Sequence, residues 1–459
     1  MKGVILFSLA SNKLLNMKKP IRKRWQFISM MAVLCFAMLA GSCKKIDFEK
    51  LHEENIKHIQ TYDEAWDMLK ETYDLFKGLP AGDDNFYPYM LISTALYSDE
   101  ALYMGSDPQW AQFADRYIIS DNQLCSTIWF TGFKIIDNAN ILIRDVENFE
   151  EENAEQYNIV GQAKAIWAFT HFLLMNLYGN IPLVYDPLLP GYYPEISSKS
   201  DLYDAIIEYL NYAVEYLSEY GTSDNTIINV NVAKALLARV YLYDEQWTKA
   251  YQTAEDIIMS GAYLLCEDYQ DAFLKDHNPE IIWKLDYNTN NKSILGYYAY
   301  PADSGGIYMY APNEDQTYFC DLTDRRRLFS VSWANSDFFI TKYRNPTTGD
   351  FDIPVIRYPE ILLMAAEAAL NSGNTTISLV YFNQVRERAK RQSYPSITKE
   401  DILREYQCEF AYEGHRWFDI NRMGMAQILF SDLTQTKNIW PIPQEALDEN
   451  PSLHQNPGY

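Results

Sequence analysis

The chain has 459 residues, 48% of them apolar, which is enough to bury an extensive core and excludes wholesale disorder. With 62 acidic against 39 basic residues its formal net charge is −23, and nucleic acid is excluded as a partner on electrostatic grounds.

In chain order, residues 1–42 hold seven basic and no acidic residues, and Lys18, Lys19, Arg22, Lys23 and Arg24 precede an apolar run from Phe27 to Ala40. That is the layout of a signal peptide, and the 14-residue run is short for a bilayer span. It ends in Ala40, Gly41, Ser42 and Cys43, which resembles a bacterial lipoprotein lipobox, with Leu39 one place further from the cysteine than is usual there. The resemblance implies cleavage before Cys43 and lipidation of its thiol. Met17 is a second candidate start, because residues 1–16 add nothing that a signal needs. Without residues 1–42 the chain carries 32 basic and 62 acidic residues, a net −30. Residues 43–60 read as a polar tether, and 61–459 as a single domain.

Helical spacing begins with Tyr62, Ala65, Trp66, Leu69, Tyr73 and Phe76. The same period predicts helices over 128–146, 154–178, 202–217, 232–243, 247–260, 358–371 and 377–390, in pairs joined by short turns. The pair "NVAKALLARVYLYDEQWTKAYQTAEDIIMSGAY" places Ala residues where two helices approach, turns at Asp244 and Glu245, and resembles a tetratricopeptide repeat. "YPEILLMAAEAALNSGNTTISLVYFNQVRERA" is built likewise, with Gly373 and Asn374 as the break. No strict 34-residue period links the units, so insertions are expected to interrupt them and a simple solenoid is not.

Two stretches depart from the helical period. Residues 78–126 carry Gly78, Pro80, Gly82, Pro88, Gly105 and Pro108 among aromatics; residues 283–345 hold 14 aromatics, a density about half again the chain's 15%. The second opens on "EIIWKLDY", a strand by its alternation, and continues through "LGYYAYPADSGGIYMYAPNED", where Gly and Pro favour loops. An aromatic ring on a loop presents a flat apolar face with a polar edge, suited to a sugar's C–H face or to a peptide. On that argument Tyr87, Tyr89 and Trp110, with Tyr297, Tyr298, Tyr300, Tyr308 and Tyr310, are the candidate ligand contacts. Changing Trp110 and Tyr298 together to Ala is expected to weaken capture and leave thermal stability nearly intact.

Catalytic signatures are sparse. Asp83 with Asp84, and Asp99 with Glu100, are adjacent carboxylates that a hydrolase could use, a weak signal because such pairs are common on surfaces. There is no HExxH, GxSxG, phosphate-binding glycine loop or EF-hand loop, and the six histidines lack ligand spacing, so neither metal nor cofactor is expected. Cys125, Cys266, Cys320 and Cys408 lie far apart and read as buried free thiols.

Near the C-terminus Thr398 and Asp401 form a capping-box pattern, and Ile402, Tyr406 and Phe410 make one apolar stripe. The helix runs into "FAYEGHRWFDINRMG", where Glu413, His415, Arg416 and Asp419 stand within seven positions. A structural corner is favoured over catalysis by His415: Gly414 turns the chain, and Arg416 and Asp419 meet charges such as Glu409 or Glu413 where Trp417 and Phe418 exclude water.

"EFAYEGHRWFDINRMG" and the final "IWPIPQEALDENPSLHQNPGY" resemble the C-terminal hallmarks, at 398–424 and 438–459, of the SusD/RagB family of Bacteroidetes outer-membrane lipoproteins. "GQAKAIWAFTHFLLMNLYGNIPLVYDP", "KALLARVYLYDEQWTKA" and "IRYPEILLMAAEA" extend the resemblance over virtually the whole mature chain. It implies a mostly α-helical fold of tetratricopeptide-like helix pairs with loop-rich insertions and a few short strands. It also implies a non-enzymatic, lipid-anchored protein at the outer membrane facing the exterior, which captures an oligosaccharide for a SusC-like TonB-dependent transporter. An oligopeptide receptor on the same scaffold, a protein-only assembly scaffold and a secreted glycan hydrolase are the alternatives.

Overall fold

The computed structural model describes residues 58–78, 85–150, 152–186, 193–217, 224–275, 278–313, 320–431 and 433–459. The leader, Cys43, most of the tether, and Asp83 and Asp84 lie outside the described residues. Ile59 is already buried, and its N–H donates to Asp145 Oδ2 at 2.8 Å.

Helix starts follow from side-chain caps, which satisfy N–H groups that have no partner within the helix. Thr61 and Glu64 close a capping box on Tyr62–Lys77. Asn122, Asn153, Ser198 and Asn229 cap Gln123–Val146, Ala154–Tyr178, Lys199–Tyr216 and Val230–Tyr243. Thr398 and Asp401 form the expected box on Lys399–Glu409.

These helices pack in a row. Tyr62–Lys77 lies on Gln123–Val146, followed in turn by Ala154–Tyr178, Lys199–Tyr216, Val230–Tyr243 and Trp247–Ser260. Tyr358–Asn371 then continues the row against Trp247–Ser260, and Thr375–Arg388 packs beyond it. The interrupted sequence period led to no expectation of a solenoid, yet the stacking is continuous in space. The segment between Ser260 and Tyr358 leaves the row and returns, because the apolar face of Trp247–Ser260, with Ala250, Ala254 and Ile257 buried, still needs a neighbour.

Three two-stranded antiparallel ribbons supplement the helices among the described residues: Ala101–Tyr103 with Tyr310–Pro312, Ile281–Leu285 with Ile353–Arg357, and Val331–Ala334 with Asp337–Ile340. The second contains the strand read in "EIIWKLDY". The first joins the two loop-rich stretches to each other.

Residues 85–126 are more regular than the Gly and Pro content of this stretch implied. Phe86–Tyr97 is a helix buried along its whole length, and Pro108–Ala114 is another. Pro88 and Pro108 both fall in first turns, where a missing N–H removes no helical bond, so they begin helices rather than break them. "FYPYMLISTALY" carries no charge, and a helix apolar on all sides belongs inside.

The cysteine reading needs correction as well. Cys320 and Cys408 form a disulfide with Cα atoms 5.7 Å apart, while Cys125 and Cys266 are free and buried. A sequence separation of 88 positions hid their proximity from the sequence. Among the described residues no helix is long and apolar enough to cross a membrane.

Candidate functional site

The eight aromatic candidates divide by burial. Tyr87 (4% exposed) and Tyr89 lie on the buried Phe86–Tyr97 helix; Tyr87 packs on Phe169 and Tyr89 sets its edge on Trp110 at 5.4 Å. Trp110 is itself only 5% exposed, and Tyr310 sits inside the first ribbon with its hydroxyl donating to Leu295 O at 3.4 Å. These four are core residues, contrary to the loop argument: the loops that were meant to expose them are a helix, a first helical turn and a paired strand. Burial raises the Tyr87 and Tyr310 phenols above their ordinary pKa.

Tyr297, Tyr298, Tyr300 and Tyr308 stay at the surface, Tyr297 at 42% exposure and the others half-buried. The chain folds back to gather them: Ile307, Tyr308 and Met309 donate their N–H groups to the carbonyls of Tyr297, Tyr300 and Tyr298 at 2.7–2.9 Å. Gly306 permits this approach, since a Cβ there would stand 2.1 Å from Tyr300 O. Tyr308 takes φ +50°, a left-handed conformation costly for an aromatic residue, and its hydroxyl donates to Phe338 O at 2.9 Å.

Through Phe338 the structure adds a residue not singled out in the sequence. Trp333, 58% exposed, stacks on Phe338 with ring centroids 4.7 Å apart. A two-residue hairpin loop, Asn335 (φ +55°) and Ser336, sets Trp333 directly opposite Phe338. The signal lay in "VSWANSDFF", two short β-rich runs about an Asn-Ser turn. Leu102 in the first ribbon, and Met104 and Ile307 near its ends in sequence, are also exposed. Trp110 packs on Tyr298 at 6.3 Å and Phe339 on Tyr300 at 4.9 Å, so these half-buried rings rest on buried ones. Aromatic rings held on packed neighbours can stack a flat ligand with little side-chain ordering cost.

The C-terminal corner is structural. Arg357 donates to Glu413, Glu280 and Glu409 at 2.6–3.0 Å; Arg388 donates to Glu280 and Glu409; Arg326 donates to Asp324, Glu405 and Glu409. Lys342 binds Glu413 Oε1 at 2.8 Å and Arg386 binds Glu405 at 2.7 Å. The result is five cations against five carboxylates inside the protein. Burial alone would raise the Glu409 carboxyl; Arg388, Arg357 and Arg326 reverse that and hold it well below the carboxylate range. Glu413 is lowered in the same way, burial being overcome by Arg357 and Lys342.

Arg416 does not meet Glu409 or Glu413 as the sequence suggested. It reaches Asp99, while Asp419 pairs with Arg422. Gly414 makes the turn at φ +81°, with a hypothetical Cβ only 2.2 Å from Leu91 Cδ2. His415 stacks on Phe410 at 4.4 Å, and burial lowers its pKa. Asp99 and Glu100, the adjacent acids, are both buried in this framework. The final segment closes the molecule: Trp440 N–H donates to Leu177 O, and Asn456 Nδ2 donates to Tyr178 O and Trp440 O, each at 2.7 Å.

Residues 330–435, which contain this corner, match the SusD family profile, and residues 68–242 match a profile described as "Starch-binding associating with outer membrane". The chain belongs to the SusD/RagB family. A SusD-like protein of Bacteroides ovatus is 25% identical over 386 residues, covering 70% of each chain. The crystal structure of a SusD superfamily protein from Bacteroides vulgatus superposes with a TM-score of 0.79 at 21% identity, over 88% of this chain and all of that one. Surface glycan-binding protein A from Bacteroides uniformis gives 0.78 at 21% identity, over 86% of this chain and 99% of the other. At those identities the structural likeness is one of fold. In this chain the scaffold is the row of helices locked by the C-terminal ion cluster, and the surface aromatics lie on the segment between Ser260 and Tyr358.

Proposed function

We propose that this SusD/RagB protein is a glycan-binding lipoprotein of the outer cell surface, which captures an oligosaccharide without cleaving it and passes it to a SusC-like TonB-dependent transporter. The observation that carries the reading is the group of rings at the surface, Tyr297 and Trp333 exposed and Tyr298, Tyr300 and Tyr308 half-buried, with Trp110, Phe339 and Phe338 packed against Tyr298, Tyr300 and Trp333. Stacking on sugar C–H faces with hydroxyl contacts at the ring edges is the chemistry such a surface offers. The family description that couples starch binding with the outer membrane supports it, as does the glycan-binding name of a structural relative. The lipobox at Cys43 supports anchoring. A non-catalytic role is supported by the engagement of Asp99 with Arg416 and the burial of Glu100, which leave this acid pair unavailable to flank a glycosidic bond.

Calorimetry of the mature chain against glycan and oligopeptide pools tests the reading. Heat from a glycan pool, lost in Tyr297→Ala/Trp333→Ala, is the expected result. Binding of peptides alone would replace the ligand class, and new reducing ends after incubation would make the protein a hydrolase.

A further inference from the structure

A separate cleft of about 540 Å³ opens between the Tyr62–Lys77 helix and the turn at 288–291, lined by none of the rings assigned above. On the helix side stands Trp66, whose Nε1–H donates to Glu155 Oε1 at 2.8 Å; this fixes the indole and leaves it 36% exposed. On the facing side Asn288 Oδ1 accepts the backbone N–H groups of Asn290 and Asn291 at 2.9 and 3.0 Å, and Asn288 N–H donates to Asn291 O. The tight turn holds Asn290 and Asn291 at the rim of the cleft. Each of these side-chain amides offers two donors and an acceptor to a ligand.

The charges in the cleft cancel. Lys70 and Lys77 each lie 2.8 Å from Asp74, and Lys77 also lies 3.1 Å from Asp286, so two cations meet two anions. A charged ligand would compete with ion pairs already formed. A neutral one finds a ring to stack on, amides to bind vicinal hydroxyls, and a volume ordinary for a small-molecule site. We propose that the cleft is a second saccharide site, accepting one or two neutral sugar rings between Trp66 and the Asn290–Asn291 turn. The proposal goes beyond the aromatic surface and stands on different residues.

The test labels the nine tryptophans of the full mature chain with 5-fluorotryptophan and follows ¹⁹F spectra during titration with laminaritriose, maltotriose and xylotriose. Trp66→Phe assigns the cleft resonance and Trp333→Phe that of the loop surface. The Trp66 signal is expected to move with at least one trisaccharide, and Asn290→Ala/Asn291→Ala to weaken that response about tenfold, which corresponds to about 1.4 kcal/mol. A Trp66 signal unmoved by all three sugars at about 10 mM overturns the second site, whatever Trp333 does. So does a shift that the double Asn change leaves intact. Movement at Trp66 with none at Trp333 upholds the cleft and counts against the loop surface, so the two readings fail separately.

Discussion

Arg416 grips Asp99 across 317 positions of sequence, its Nε and Nη2 each 2.7 Å from a carboxylate oxygen. Both side chains are nearly closed to water, so either one left alone is an uncompensated buried charge. Arg416→Ala is expected to cost about 3–5 kcal/mol in urea unfolding. Asp99→Ala/Arg416→Ala should lose less than the sum of the single changes, because the second removes the charge that the first stranded. An additive double variant would show that the two groups act independently.

Glu100, next in sequence, behaves in the opposite way. Its Oε1 accepts the Tyr412 N–H at 2.7 Å, and Oε2 has no hydrogen-bond partner among the described residues. Burial raises the carboxyl from 4.5 to about 7, against the Tyr412 N–H, Lys342 and Arg416, which lower it. The folded state therefore holds this proton more tightly than the unfolded chain. This group favours folding most below about pH 4.5, and that contribution is lost as pH rises to about 7, a change of about 3 kcal/mol. Glu100→Gln, still an acceptor for Tyr412, should raise the Tm at pH 8 and converge with the parent near pH 4.5. Glu409 and Glu413, held low by their cations, contribute the reverse slope, stability lost as pH falls through their own depressed range.

The aromatic residues should separate binding from stability. Tyr297→Ala and Trp333→Ala, at exposed rings, are each expected to weaken glycan binding about tenfold and to shift unfolding by less than about 0.5 kcal/mol. Trp110→Ala removes a core side chain and should cost about 3–5 kcal/mol. Substituting Trp110 with Tyr298, which on sequence grounds would spare stability, is thus expected to destabilise the protein. Calorimetry and thermal melts on the same samples check both directions.

The Cys320–Cys408 bridge ties the start of the Arg326 segment to the Lys399–Glu409 helix that carries Glu405 and Glu409. Closing an 88-residue separation should stabilise the fold by about 3–4 kcal/mol through the unfolded chain, a loss that Cys320→Ser/Cys408→Ser would reveal. In a chain that begins after Cys43, alkylation under denaturing conditions should modify two thiols without reductant, Cys125 and Cys266, and four with it.

The sequence by itself determined the helices of the row, the cap at Thr398 and the family. Those signals are local: Thr398 caps the helix that it precedes, and the apolar period of 358–371 needs no knowledge of what covers it. The hallmark at 410–424 was also legible as a corner, since Gly414 and the charges beside it lie together. Tertiary structure alone decided the partners. Asp99 for Arg416, Cys408 for Cys320, and the burial of Tyr87, Tyr89, Trp110 and Tyr310 depend on segments far apart in the chain, and an aromatic ring carries no mark of whether its face will meet a sugar or another ring. Trp333 became a surface residue because its hairpin pairs it with Phe338, and Trp110 a core residue because Tyr89 and Tyr298 close over it.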